Sequence, residues 1–178
     1  MISPNLLINP GAENNFDGWT QMGPGTAIVD SNGKFHKNYS PRSGSNCFAG
    51  GKGGESHARL RQIIDLVGGI QGFTEEQIDA GHLTAFVSFY YQVYRDEIWG
   101  DDYSKVDVSL RNSVDDILDG IHTGELHCTP NPGWCHYENS VQIPPGTRYI
   151  HYVMLFYERE FLGLPIDSYI DDNSLIIM

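Results

Sequence analysis

The stretch Leu83-Thr-Ala-Phe-Val-Ser-Phe-Tyr-Tyr-Gln-Val-Tyr-Arg95 decides the fold class. Its odd positions, Leu83, Ala85, Val87, Phe89, Tyr91 and Val93, are apolar throughout, while Thr84, Phe86, Ser88, Tyr90, Gln92 and Tyr94 mix aromatic with polar. A period of two marks a strand with one face toward a core and a second, amphipathic face. The same reading extends outward. Lys105 to Arg111 sends Val106, Val108 and Leu110 inward and Asp107, Ser109 and Arg111 the other way. Arg148 to Glu158 puts Ile150, Tyr152, Met154 and Phe156 on one face, and Tyr149, His151, Val153, Leu155 and Tyr157 on the other.

Shorter strands are expected at Asn5–Ile8, Ala27–Asp30, Asn46–Ala49, Arg59–Leu66, Gly120–His127, Tyr137–Ile143 and Ser168–Ile177. Between them lie turn-forming runs such as Asn9-Pro10-Gly11, Gly23-Pro24-Gly25, Ser31-Asn32-Gly33 and Pro144-Pro145-Gly146. One helical turn is expected at Thr74-Glu75-Glu76-Gln77, with Thr74 as cap. About ten short strands with almost no helix predict an all-β chain built as a two-sheet sandwich or barrel. The 178 residues contain no internal repeat and no linker, and read as one domain over 1–178.

Charge narrows the partners. Eleven Lys and Arg stand against 23 Asp and Glu, a formal −12. Such a surface repels phosphate backbones and anionic membranes, which excludes nucleic acid and leaves neutral or cationic partners and bound cations. No window approaches eighteen continuous apolar residues, so no membrane insertion is expected. Met1-Ile2-Ser3-Pro4-Asn5 shows no signal peptide, so the N-terminus says nothing about location.

Of three cysteines, Cys128 and Cys135 bracket the turn-forming Thr-Pro-Asn-Pro-Gly-Trp. One short-loop disulfide with Cys47 as a buried thiol is the first reading, and three reduced thiols the second. His127-Cys128 and Cys135-His136 could also hold zinc, but neighbours on a strand diverge, so convergence would need irregular backbone.

Two motifs at the chain ends carry a family likeness. Asn5-Leu6-Leu7-Ile8-Asn9-Pro10-Gly11-Ala12-Glu13 with Gly18-Trp19, and Tyr169-Ile170-Asp171-Asp172-Asn173-Ser174-Leu175, resemble the opening and closing strands of galactose-binding-like jelly rolls. Carbohydrate-binding modules of families 4, 9 and 22 are similar. More distantly, the opening resembles the sugar-recognising domain of glycoprotein-binding F-box proteins, which lacks the closing Ile-Asp-Asp. The resemblance implies a two-sheet jelly-roll β-sandwich and a secreted or extracellular setting. It also implies a structural Ca2+ held by Glu13 and Asp171, with carbonyls from Gly11 and the Ser40–Asn46 segment around Ser43. A plain hydrogen-bonded turn without metal is the alternative. Asp171, Asn173 and Leu175 are expected on one side of the closing strand, and Ile170, Asp172 and Ser174 on the other.

The sequence holds no phosphate loop, no Gly-x-Ser-x-Gly and no His-Glu-x-x-His. Adjacent acids such as Asp101-Asp102 and Asp115-Asp116 diverge on a strand and make poor acid–base pairs. The family likeness and the polar-aromatic second faces of the long strands make a non-catalytic, lectin-like module binding glycan or glycoprotein the leading expectation. An adhesion or protein-binding sandwich is the alternative, and a glycan-active hydrolase or lyase comes third.

Two ligand sites compete. On a sheet face, Tyr90, Gln92 and Tyr94 would sit beside Asp107, Ser109 and Arg111 on the strand after them, rings stacking on sugars and polar groups bonding hydroxyls. At loop tips, Trp99, Asp101, Asp102 and Tyr103 would form one tip, and Trp134 another. The sheet face is preferred, because one rigid strand pair would supply both kinds of group.

Overall fold

The computed structural model describes residues 2–52, 56–69, 72–96, 100–130, 132–159 and 164–178. The alternating segments become strands: β1 (Thr20–Met22), β2 (Ile28–Ser31), β3 (Asn46–Gly51), β4 (His57–Asp65), β5 (Thr84–Val93), β6 (Arg95–Asp96), β7 (Gly100–Asp101), β8 (Tyr103–Arg111), β9 (Ile117–His122), β10 (Cys135–Gln142), β11 (Tyr149–Tyr157) and β12 (Ile166–Ile177). Helix α1 (Glu75–Asp79) is closed by a capping box, Thr74 accepting from the Gln77 N–H while the Gln77 side chain accepts from the Thr74 N–H.

The strands form two five-stranded antiparallel sheets. The first runs β1-β4-β11-β8-β9 and the second β10-β5-β12-β3-β2, with β6–β7 a separate two-stranded ribbon. This is the jelly-roll sandwich. Leu60, Val106, Val108, Ile150, Met154 and Phe156 from the first sheet meet Phe48, Val87, Phe89, Ile170 and Leu175 from the second, all essentially inaccessible. Burying each such side chain stabilises the fold by about 1.5–3 kcal/mol.

Trp19 plugs one end of this core, edge-on to Phe48 (5.3 Å) and Tyr152 (5.9 Å), and its Nε1 donates to the Asn9 carbonyl. The Asn9-Pro10-Gly11 turn is thereby tied to the interior. Asn173 ties it again: its Nδ2 donates to the Pro10 carbonyl at 2.7 Å, its N–H to the same oxygen at 3.2 Å, and its Oδ1 accepts from the buried Tyr152 hydroxyl at 2.9 Å.

Two expectations are corrected. Asn5–Ile8 is not a strand, because side chains take over its ladder. The Asn5 Oδ1 accepts from the Leu7 and Leu175 N–H groups, and the Gln62 side chain bonds both the N–H and the carbonyl of Ile8. The alternation expected across β12 also fails. Against β5, Tyr90 faces Asp171 but Ser88 faces Ser174, so Asp172 and Asn173 together oppose one residue. That bulge, with Asp172 at φ 48°, moves the core positions from Ile170 to Leu175 and Ile177.

Replacing Asn173 by Ala strands the Tyr152 hydroxyl and one Pro10 bond in the interior. The expected loss is about 2–3 kcal/mol, against about 1 kcal/mol for Tyr152→Phe. Urea unfolding of the two variants checks the ordering.

Candidate functional site

The outer face of the first sheet is open across β4, β11 and β8, and a second groove of about 500 Å³ lies on the other sheet, over Phe86, Ser88, Ser140, Ser174 and Ile176. Register lines the first sheet's outward side chains into rows across β4, β11 and β8. The end row is His57, Tyr157 and Tyr103. Then follow Arg59, Leu155 and Lys105, next Arg61, Val153 and Asp107 with His122 of β9 beside it, and then Ile63, His151 and Ser109. Asp65, Tyr149 and Arg111 close the face.

In the end row the Tyr103 and Tyr157 rings stack at 5.1 Å and 11°, and His57 stacks on Tyr157 at 5.3 Å. The Lys105 ammonium sits 5.2 Å and 5.1 Å from the two Tyr ring centres, within cation–π range. Rings held by one another have little rotamer freedom left to lose on binding. Burial, reinforced by Glu125 and Tyr157, raises the Tyr103 phenol, which keeps its O–H as a donor.

Beyond this row a groove of about 270 Å³ opens over Val153 and Leu155, walled by Arg59, Arg61, Asp107, Ser109, Arg111 and His151. Arg111 donates through Nε to the Ser109 hydroxyl (3.0 Å) and pairs through Nη1 with Asp115 (3.2 Å). Asp115 also lies 3.4 Å from His151, and Asp107 lies 3.0 Å from His122. Burial lowers the His151 pKa, with Arg111 and Arg61 pushing the same way against Asp115. His151 is therefore a neutral imidazole at pH 7.

The outer face of the second sheet is half covered. Residues 32–45 fold over it and make a small second core of Tyr39, Cys47, Ala49 and Tyr169 with Phe35, Tyr94 and Trp134. His36 stacks on Tyr94 at 4.3 Å, its Nδ1 lies 2.7 Å from the Tyr169 hydroxyl, and its Nε2 is 3.6 Å from Asp167. Cys128 and Cys135 are joined in a disulfide with their Cα atoms 5.6 Å apart, and Cys47 is a buried thiol. With both sulfurs spent on that bond, the zinc reading of this loop falls.

The expected sheet-face site therefore divides. Tyr90, Gln92 and Tyr94 belong to the second sheet and Asp107, Ser109 and Arg111 to the first, because β6 and β7 intervene where the chain passes between sheets. Gln92 is buried and donates to the Ser40 carbonyl, as does the Trp134 indole at 3.1 Å, so both fasten the covering loop. Tyr90 lies under the Arg42 guanidinium at 4.5 Å and beside His136. The loop-tip set divides as well. Asp102 is buried and accepts from the Arg159 and Asp167 N–H groups, Asp101 pairs with Arg95, and Trp99 lies outside the described residues. Tyr103 joins Asp107, Ser109 and Arg111 on the open face. His57, Arg59, Arg61, Lys105, His151 and Tyr157 complete that face. Their signal was the alternation of β4 and β11, whose outward positions set polar and aromatic residues around Val153 and Leu155.

Glu13 and Asp171 hold the same short loop from its two ends. Asp171 is fully buried, and its Oδ2 accepts from the Arg42 and Ser43 N–H groups, while its Oδ1 accepts from Asp172 N–H. Glu13 Oε1 accepts from the Ser45 and Asn46 N–H groups. Gly44, at φ 59°, passes so close to the Glu13 carboxylate that a side chain there would collide with it. Gly11 also lies against Asp171, and the Ser43 hydroxyl donates to Asp172 at 2.5 Å. Burial pushes the Asp171 carboxyl up to about 7. Two carboxylates from opposite chain ends, one short of countercharge, fit the acidic half of a hard-cation site. The loop turns N–H groups toward them rather than carbonyls. Among the described residues no three His, Cys, Asp or Glu side chains converge as a metal site, so an ion here would need backbone or water oxygens as well.

No protein-family model matches the sequence, and no curated protein matches it. Solved structures do match. A family 61 carbohydrate-binding module in complex with β-1,4-galactotriose superposes with a TM-score of 0.60 at 17% identity, over 97% of this chain and 98% of that one. A family 16 carbohydrate-binding module gives 0.58 at 18%, over 96% and 99%. The enzymatically active domain of tailspike protein 4 from bacteriophage CBA120 gives 0.61 at 14%, over 96% of this chain. The chain spans about a fifth (21%) of that tailspike chain. These likenesses establish the architecture that the end motifs imply.

The covering loop should respond to acid. Burial lowers the His36 pKa, against an opposing push from Asp30. The folded state therefore holds fewer protons than the unfolded one just below pH 6.5, and this stability is lost as pH falls through the folded pKa. Asp171 acts oppositely, since a raised carboxyl costs stability as pH rises from about 4 to about 7. The readout is thus a difference: His36→Gln should lose less stability than the parent between pH 6.5 and 5. Urea midpoints at the two pH values measure it, and equal losses would refute the assignment.

Proposed function

We propose that this chain is a non-catalytic carbohydrate-binding module that takes a glycan along the outer face of β4, β11 and β8. The observation that carries the reading is the preordered row of Tyr103 and Tyr157 opening onto a groove lined with hydrogen-bonding groups on a rigid sheet. Sugars need both apolar contact for their C–H faces and paired polar groups for their hydroxyls. Val153, Leu155 and the ring edges of the tyrosines supply the first; Ser109, Asp107 and the two phenol hydroxyls supply the second. The family 61 module sharing this architecture holds β-1,4-galactotriose, which supports an oligosaccharide as ligand class.

A secreted or extracellular setting belongs to the same proposal, supported by the Cys128–Cys135 disulfide, a bond at home in oxidising compartments. Among the described residues no helix is long and apolar enough to cross a membrane.

We propose further that Glu13 and Asp171 share a structural Ca2+. Bound there, the ion would supply the countercharge that burial denies Asp171 and would tie the two chain ends to the 42–46 loop.

Two measurements test this. On a glycan array or in affinity gels, replacing Tyr103 and Tyr157 together by Ala should weaken binding at least about tenfold, while Tyr90→Ala on the other sheet stays within about twofold. The reverse pattern would move the site to the second sheet. For the ion, saturating calcium should raise the melting temperature by roughly 5–10 °C over chelator, and Glu13→Gln or Asp171→Asn should abolish the difference. Identical curves for the parent protein would remove the metal.

A further inference from the structure

We propose that the glycan this groove takes is anionic, a polymer carrying carboxylates. The inference rests on the groove being the glycan site.

It starts from where the cations lie. The chain is strongly acidic, yet four of its eleven Lys and Arg, namely Arg59, Arg61, Lys105 and Arg111, stand on this one face. The acids around it are already engaged. Asp107 is hydrogen-bonded to His122, Asp115 is ion-paired with Arg111, and Asp65 caps its own turn through the Val67 and Gly68 N–H groups. Arg59, Arg61 and Lys105 have no ion pair among the described residues, and the Arg59 Nε–H is buried without an acceptor.

The chemistry of these three side chains selects the ligand. Arg and Lys only donate, whereas a neutral sugar hydroxyl both donates and accepts and is best met by mixed partners. A carboxylate only accepts, and a guanidinium fork matches it with two parallel bonds. The placement agrees. Arg59 on β4 and Lys105 on β8 flank Leu155 on β11, two strand spacings or about 10 Å apart, and Arg61 lies about 7 Å farther along its strand. The cations thus border an apolar floor on which a sugar ring can rest, with its charged substituent reaching the rim.

Sulfate esters offer the same acceptor chemistry, so the experiment separates the two. Binding is measured by calorimetry for polygalacturonate, alginate and glucuronan, for the same polymers with their carboxyl groups reduced to alcohols, and for a sulfated galactan. At least one polyuronate is expected to bind at least about tenfold more tightly than its reduced form, with the advantage shrinking as salt shortens the Debye length. Arg61→Gln and Lys105→Gln, each checked for an unchanged melting curve, should each cut that preference severalfold. A reduced polymer bound as well as its acid, or a sulfated galactan preferred to every polyuronate, overturns the inference and leaves the proposed function standing. If no glycan of either kind binds, on these polymers or on an array, both fall.

Discussion

One buried amide locks the opening turn to the closing strand, and the rest of the architecture is arranged around it. Asn173 reaches Pro10 through two donors and the Tyr152 hydroxyl through its acceptor, deep in the core. To point inward it needs the extra residue in β12, since a regular strand would have placed Asp171 and Asn173 on the same side. The bulge therefore does two things. It seats Asn173 in the sandwich and sends Asp171 outward to take the N–H groups of the 42–43 turn. That turn belongs to the loop covering half of the second sheet, so the same backbone irregularity helps to hold that cover in place.

With half of the second sheet covered, the face we propose for recognition is that of the first. Its central outward positions on β11 are Leu155 and Val153, and polar residues take the flanking positions on β4 and β8. The covering loop itself depends on side chains that looked like ligand contacts in the sequence. Gln92 and Trp134 both spend their donors on the single carbonyl of Ser40, and Tyr94 is stacked against His36. Aromatic and amide groups on an amphipathic strand face meet the needs of a sugar and of a packed loop equally well, which is why the pattern of β5 could not separate them.

What was legible follows the range of the physics. Alternation is local, so the strands β5, β8 and β11 and the faces of their residues are read from neighbours two apart. The capping of α1 by Thr74 is local too. Strand partnership is not. Consecutive strands pair or neighbour only about two-thirds of the time, and the long strands β5 and β8, separated by the short β6 and β7, lie in different sheets. The bulge left a faint trace in Asp171-Asp172-Asn173, since Asp and Asn tolerate the left-handed conformation that Asp172 adopts. The first segment failed as a strand for a related reason: Asn5 and Gln62 can imitate a backbone ladder with their side chains, which no periodicity reports.

Charge shows the same division between global and local. A formal −12 spread over 178 residues describes the field at long range, and it governs solubility and encounter with large polyanions. At about 8 Å, the Debye length in physiological salt, that field is already screened, and a ligand in contact with the groove feels chiefly the groups within reach. There the count is reversed, because Arg59, Arg61 and Lys105 have no ion pair among the described residues while Asp115 is paired with Arg111 and Asp107 is hydrogen-bonded to His122. Composition excludes partners that must approach as long charged rods against the whole surface. It does not exclude a chain that lies along one face, where register rather than composition sets the sign of the charge it meets.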